Sequence, residues 1–246
     1  MIARVAALVG AAAVLTFGLA ACETTQDTSK RLSKQGKALL KGKTLTIATA
    51  NPDIKVTSSG VLQDQNGTAA VVELKNSGGS QADVPVLISV SGAKGQQLYT
   101  NSGPGLDPSL VQLAAVPKGQ SEIWVNDQVT ATGKPKSLKA TIGLAKGRAP
   151  ATLPLMTITK LAFGSDVSGV YARGIITNTS KVAQKRLVIA CVSTSGPTLK
   201  AAGRAIVDNL PPAPTPKPVS FRVYFIGNPK GGKLSCSAPP TVFAGG

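Results

Sequence analysis

The stretch Val84-Pro85-Val86-Leu87-Ile88-Ser89-Val90-Ser91-Gly92 is a short apolar run, rich in β-branched residues, that closes on a Ser-Gly turn. That is the pattern of a buried β-strand. Lys185-Arg186-Leu187-Val188-Ile189-Ala190-Cys191-Val192-Ser193-Thr194-Ser195-Gly196 repeats the layout in the second half of the chain. Upstream, Ala70-Val71-Val72-Glu73-Leu74-Lys75-Asn76-Ser77-Gly78 lines up with Tyr171-Ala172-Arg173-Gly174-Ile175-Ile176-Thr177-Asn178-Thr179-Ser180. Downstream, Ser121-Glu122-Ile123-Trp124-Val125 answers Val219-Ser220-Phe221-Arg222-Val223-Tyr224-Phe225. The chain therefore reads as a diverged duplication of one strand-and-turn unit.

Outward from these stretches the pattern continues. Thr44-Leu45-Thr46-Ile47-Ala48-Thr49 alternates with period two, and Leu138-Lys139-Ala140-Thr141-Ile142-Gly143-Leu144 forms another short strand. Asn66-Gly67, Asn76-Ser77-Gly78-Gly79 and Lys118-Gly119 punctuate them as turns. No long stretch carries helical periodicity. The expectation is an all-β sandwich fold in two tandem domains, 44–150 and 151–246, with a seam in the Gly- and Pro-rich segment 146–154.

The Asn-led turns (Asn76, Asn178), the apolar strands with their Gly turns (Gly92, Gly196) and the late strand with Phe221 and Phe225 resemble bacterial extracellular immunoglobulin-like modules, the FxLyD and CARDB-like groups. The resemblance covers most of 155–243 and is weaker over 44–145. The proline-rich 211–218 departs from it. It implies two immunoglobulin-like β-sandwich domains with a binding or spacer role, and it transfers no catalytic residue.

Strand phase sharpens the core. Leu187, Ile189 and Cys191 share one face, as do Phe221, Val223 and Phe225, and both faces are expected inside. Trp124 and Phe163 are read as core aromatics.

The N-terminus has its own logic. Arg4 is followed by an apolar or small run from Val5 to Ala21, and the run ends at Leu19-Ala20-Ala21-Cys22. This tetrad resembles the bacterial lipobox. It implies a signal peptide over 1–21, cleavage before Cys22, and acyl chains such as palmitate on that cysteine. Two or three chains, at about 0.8 kcal/mol per buried methylene, give stable membrane anchoring. Residues 22–43 then form a basic, flexible tether with Lys30, Arg31, Lys34, Lys37, Lys41 and Lys43. The expected location is the cell envelope, on the outer side of the cytoplasmic membrane or at the outer membrane. With Cys22 lipidated, Cys191 and Cys236 remain, as one disulfide or as two buried thiols.

Catalytic signals are missing. The 246 residues include no histidine, three cysteines and eleven acids. That removes the usual general base, the His-dependent nucleophile systems and most zinc sites. Gly227-Asn228-Pro229-Lys230-Gly231-Gly232-Lys233 resembles a phosphate-binding loop, but Leu234 replaces the magnesium-binding hydroxyl and the following residues cannot form its helix. A Gly-rich hairpin turn is the expectation. No enzyme activity, metal or cofactor is expected.

Charge remains. The formal net charge is +16. Residues 44–150 carry nine basic and seven acidic side chains, and residues 151–246 carry eleven and two. Lys181, Lys185, Arg186, Lys200, Arg204, Arg222, Lys230 and Lys233 form the expected anionic-ligand surface of the second half. Sparse aromatics and the exported location disfavour nucleic acid. The expected function is a membrane-anchored, non-enzymatic binding or scaffolding module for an anionic envelope polymer or a partner protein. The alternative is a structural accessory lipoprotein of an envelope transport or export complex.

Overall fold

The structure, a computed structural model, describes residues 44–147, 149–150, 152–213 and 217–243. Cys22 and the tether lie outside the described residues. Fourteen strands occur in chain order: β1 (Ile54–Asp64), β2 (Gly67–Asn76), β3 (Gln81–Ser91), β4 (Gln97–Thr100), β5 (Gln112–Val116), β6 (Ser121–Asn126), β7 (Ser137–Ile142), β8 (Met156–Asp166), β9 (Gly169–Asn178), β10 (Gln184–Ser195), β11 (Thr198–Leu210), β12 (Val219–Tyr224), β13 (Ile226–Gly227) and β14 (Lys233–Ser237). The only helix among the described residues is a 3-10 turn at Pro108–Leu110.

The duplication is visible in the sheets. In the first half, β1-β2-β6 forms one sheet and β3 carries β4, β5 and β7 in the other. The second half repeats this as β8-β9-β12 and as β11-β10-β14, extended at one edge by β13. Fine detail repeats as well. Asn76 and Asn178 are both fully buried at the end of the second strand. The Asn76 amide donates to the Gly79, Val116 and Pro117 carbonyls, and the Asn178 amide donates to that of Val182. Each Asn side-chain oxygen accepts the backbone N–H two residues on, at Gly78 and Ser180. These bonds satisfy a turn that burial would otherwise leave unpaired.

Alternation along each strand divides the interior into three apolar clusters. Val84, Val86 and Ile88 of β3 meet Ala70, Val72 and Leu74 of β2 and Trp124 of β6 in the first core. Leu187, Ile189 and Cys191 of β10 meet Ala172 and Ile176 of β9 with Phe221 and Val223 of β12 in the second. The opposite faces of the same strands make the third. Ala69, Val71 and Val125 of the first half pack on Ala190, Val192, Ala202 and Ile226 of the second. Strands β2 and β10 are thus buried on both faces. The molecule is four stacked sheets with the two halves joined through sheet β1-β2-β6, and Gly42–Gly246 clusters as one compact unit.

Cys191 and Cys236 face each other in register across β10 and β14 and are disulfide-bonded. Trp124 is buried, and its indole Nε1 donates to the Ser109 carbonyl. Three expectations need correction. Residues 44–49 form no strand; Leu45 N–H reaches the Ser102 carbonyl and Ala50 makes one isolated bridge to Gly143, so the alternating segment lacks a ladder. Phe163 is exposed because it sits on the edge strand β8, beside the core residue Ala172, with Phe225 as its described aromatic neighbour at 6.1 Å. The glycine-rich 227–233 is a turn but not a hairpin, since β13 pairs with β11 and β14 with β10 on opposite edges of one sheet.

Candidate functional site

The eight basic residues of the expected surface do not gather in one place, and Lys200 lies near the start of β11. Lys185 and Lys233 lie beside opposite ends of β10, for Lys233 pairs with Thr194; nine residues of strand separate them by roughly 30 Å. Lys181 and Lys230 sit in exposed turns. Arg186 and Arg204 have other work. Arg186 Nη2 meets Asp107 at 2.6 Å, and Arg204 Nε meets Asp127 at 2.8 Å while its Nη1 donates to Ser109 Oγ. Both pairs run from the second half to the first. The burial of the Arg204 side chain makes it a junction residue.

Arg222 does belong to a cluster, with two residues that sequence reasoning missed. On the outer face of sheet β12-β9-β8, Arg222 is the register partner of Arg173, and Arg173 that of Ala162. One step along, Tyr224 pairs with Tyr171 and Tyr171 with Gly164. Lys160 joins from β8, where a register irregularity between Thr159 and Ala162 and a left-handed φ of 52° displace it from the regular ladder. Lys160, Arg173 and Arg222 line an open groove of about 690 Å³ with Ile175 and Ser220.

Aromatic rings support the cations. The Arg222 guanidinium lies 4.9 Å over the Tyr171 ring, and Tyr171 meets Tyr224 edge-on at 5.3 Å. A guanidinium on a ring face gains about 0.5–1 kcal/mol at an exposed site. Gly164 makes room, since a Cβ there would come within 2.5 Å of the Tyr171 ring. Asp166 accepts from the Tyr224 hydroxyl at 2.8 Å and from Arg222 at 3.3 Å. The Tyr224 hydroxyl and the Ser168 N–H hold its carboxyl below the usual range. Three cations against one carboxylate leave the face net positive.

The first half supplies an internal comparison. The face equivalent to this one belongs to β1-β2-β6, where the register places Gly60 opposite Val71 and Val71 opposite Val125. There it is apolar and covered by the second half. Counting from the paired Asn76 and Asn178, Ala69 corresponds to Tyr171 and Val71 to Arg173. The same surface is a dry joint in one repeat and a basic, tyrosine-bearing, open face in the other. Strand phase along Tyr171-Ala172-Arg173 and Arg222-Val223-Tyr224 carried this signal, but reading it required knowing which sheet face stays uncovered.

Two crevices lie at the junction. One, of about 240 Å³, is walled by Leu113, Trp124, Val125, Val188 and Ile206, with the Arg186–Asp107 pair among its lining groups. The other is lined by Glu73, Glu122 and Lys233. Glu122 is buried, its Oε2 has no hydrogen-bond partner among the described residues, and burial pushes its carboxyl up to about 7. Among the described residues no three His, Cys, Asp or Glu side chains gather as a metal would require. No protein-family model and no curated protein matches the chain.

Proposed function

We propose that this protein is a lipid-anchored, non-enzymatic binding module of the bacterial envelope, and that the outer face of β12-β9-β8 is its working surface for an anionic ligand. The observation that carries this reading is the contrast between equivalent faces: apolar where the repeats dock, Lys160, Arg173 and Arg222 over tyrosines where the surface is open. Planar guanidinium groups suit carboxylate and phosphate through paired N–H donors. Cys22, lipidated, would hold the module at the membrane, so a Cys22→Ser chain is expected in the soluble fraction.

The test is binding of the compact 42–246 unit to isolated cell envelope across a salt series. Retention at low ionic strength that falls as salt screens the charges supports the reading. No retention at low salt contradicts it. The joint between the halves favours a second reading, a structural spacer in an envelope transport or export complex, because an apolar cluster and two ion pairs fix the repeats together. Co-purification with a membrane complex after Lys160, Arg173 and Arg222 have been neutralised would select that reading.

A further inference from the structure

The β8–β9 hairpin tip is built like its counterpart in the first half and differs in chemistry. Asp64-Gln65-Asn66-Gly67 and Asp166-Val167-Ser168-Gly169 both close in two-residue turns, with the aspartate accepting the N–H two residues on and the glycine at positive φ. In the first half the tip is polar and docked, since Asp64 Oδ2 accepts the Gly227 N–H at 2.8 Å. In the second half Asp166 is instead held by Tyr224 and Arg222 of its own sheet, and Val167 occupies the turn position held by Gln65. Only the glycine of each turn has a positive φ, so the position accepts most residue types and the turn itself does not dictate the valine. Val167 is as exposed as a side chain can be, at 107% of its reference area.

Val167 is not alone. Among the described residues seven large apolar side chains are exposed, and four of them belong to this end of sheet β12-β9-β8: Val167 at the tip, Tyr224 on the outer face with Tyr171, and Phe163 and Val170 on the opposite face with Ala172. Scattered apolar residues on a surface are ordinary, whereas a cluster marks a contact surface. The order along β9 is graded: Val167 and Val170 come first, then Tyr171, then Arg173 beside Arg222 and Lys160. Arg173 lies three residues beyond Val170, roughly 10 Å along the strand. Interfacial segments bury their apolar side about 5–10 Å into the headgroup boundary. Tyrosine favours the headgroup level, and basic side chains are drawn to anionic lipid. The sequence of chemistries matches a bilayer surface read from the acyl boundary outward.

We propose that the β8–β9 tip and the basic face behind it form a second membrane contact, in which Val167 and Val170 enter the interface of an anionic bilayer while Lys160, Arg173 and Arg222 meet lipid phosphates. This rests on the anionic-ligand reading and names the ligand as lipid headgroups.

The test uses the unlipidated 42–246 unit with vesicles of mixed phosphatidylglycerol and phosphatidylcholine, vesicles of phosphatidylcholine alone, and soluble polyphosphate. The informative variant is Val167→Gln/Val170→Thr, whose residues are those the same hairpin carries at Gln65 and Thr68. The expected result is binding to anionic vesicles that drops at least fivefold in this variant, with polyphosphate binding unchanged. Removing Arg173 and Arg222 should weaken vesicle binding roughly thirtyfold, at about 1 kcal/mol for each basic side chain. Anionic-vesicle binding unaffected by the valine changes, or polyphosphate binding without vesicle binding, overturns the membrane contact and leaves the anionic-ligand reading standing. Binding to neither probe at low salt overturns both.

Discussion

Arg204 crosses from the second half to the first, where its Nε donates to Asp127 at 2.8 Å with only 5% of its side chain exposed. A guanidinium so deeply placed depends on its acceptors. Asp127→Ala leaves it short of a counter-charge and should destabilise the protein by about 3 kcal/mol. The neighbouring pair provides the contrast. The Arg186 side chain is 62% exposed, so Arg186→Ala should cost under about 1 kcal/mol although its contact with Asp107 is the shorter. Urea unfolding of both variants checks the order.

Glu122 should make stability fall with rising pH. Its carboxyl is raised from its usual 4.5 to about 7 in the folded protein. Between these values the native state holds a proton that the unfolded chain has lost. The contribution is therefore complete below about pH 4.5, declines as pH approaches 7, and is gone above it. The loss is on the order of 3 kcal/mol. Glu122→Gln should flatten that slope and raise stability at neutral pH, as read from melting curves across the range.

The Cys191–Cys236 bridge spans 45 residues of sequence. Loop closure in the unfolded chain assigns it about 4 kcal/mol. A Cys191→Ala/Cys236→Ala protein should unfold at lower denaturant by that order, and adding reductant should destabilise the wild type but leave the variant unchanged.

Much of this architecture was legible in the sequence. The period-two strands β2, β3, β6, β7, β9, β10 and β12 and the repeated Asn-led turns are local features. Strand phase placed Leu187, Ile189 and Cys191 on one inward face and brought Cys191 to the last strand, because alternation alone fixes sidedness. What failed depended on distant partners. Arg186 and Arg204 resemble free surface charges until Asp107 and Asp127 arrive from the other repeat. The alternation of 44–49 is real, yet it finds no ladder. Strand phase puts Arg173 on one face with Tyr171, but only the stacking of four sheets shows that this face remains open.

The central claim is that a particular face binds, and not the protein's overall positive charge. The direct measurement compares two variants of equal net charge for envelope binding at low salt: Lys160→Gln/Arg173→Gln/Arg222→Gln and Lys181→Gln/Lys230→Gln/Lys233→Gln. At about 1 kcal/mol per basic side chain at the contact, the first should weaken binding on the order of a hundredfold and the second less than about threefold. Equal losses in the two variants would contradict the account and leave net charge as the whole of the attraction.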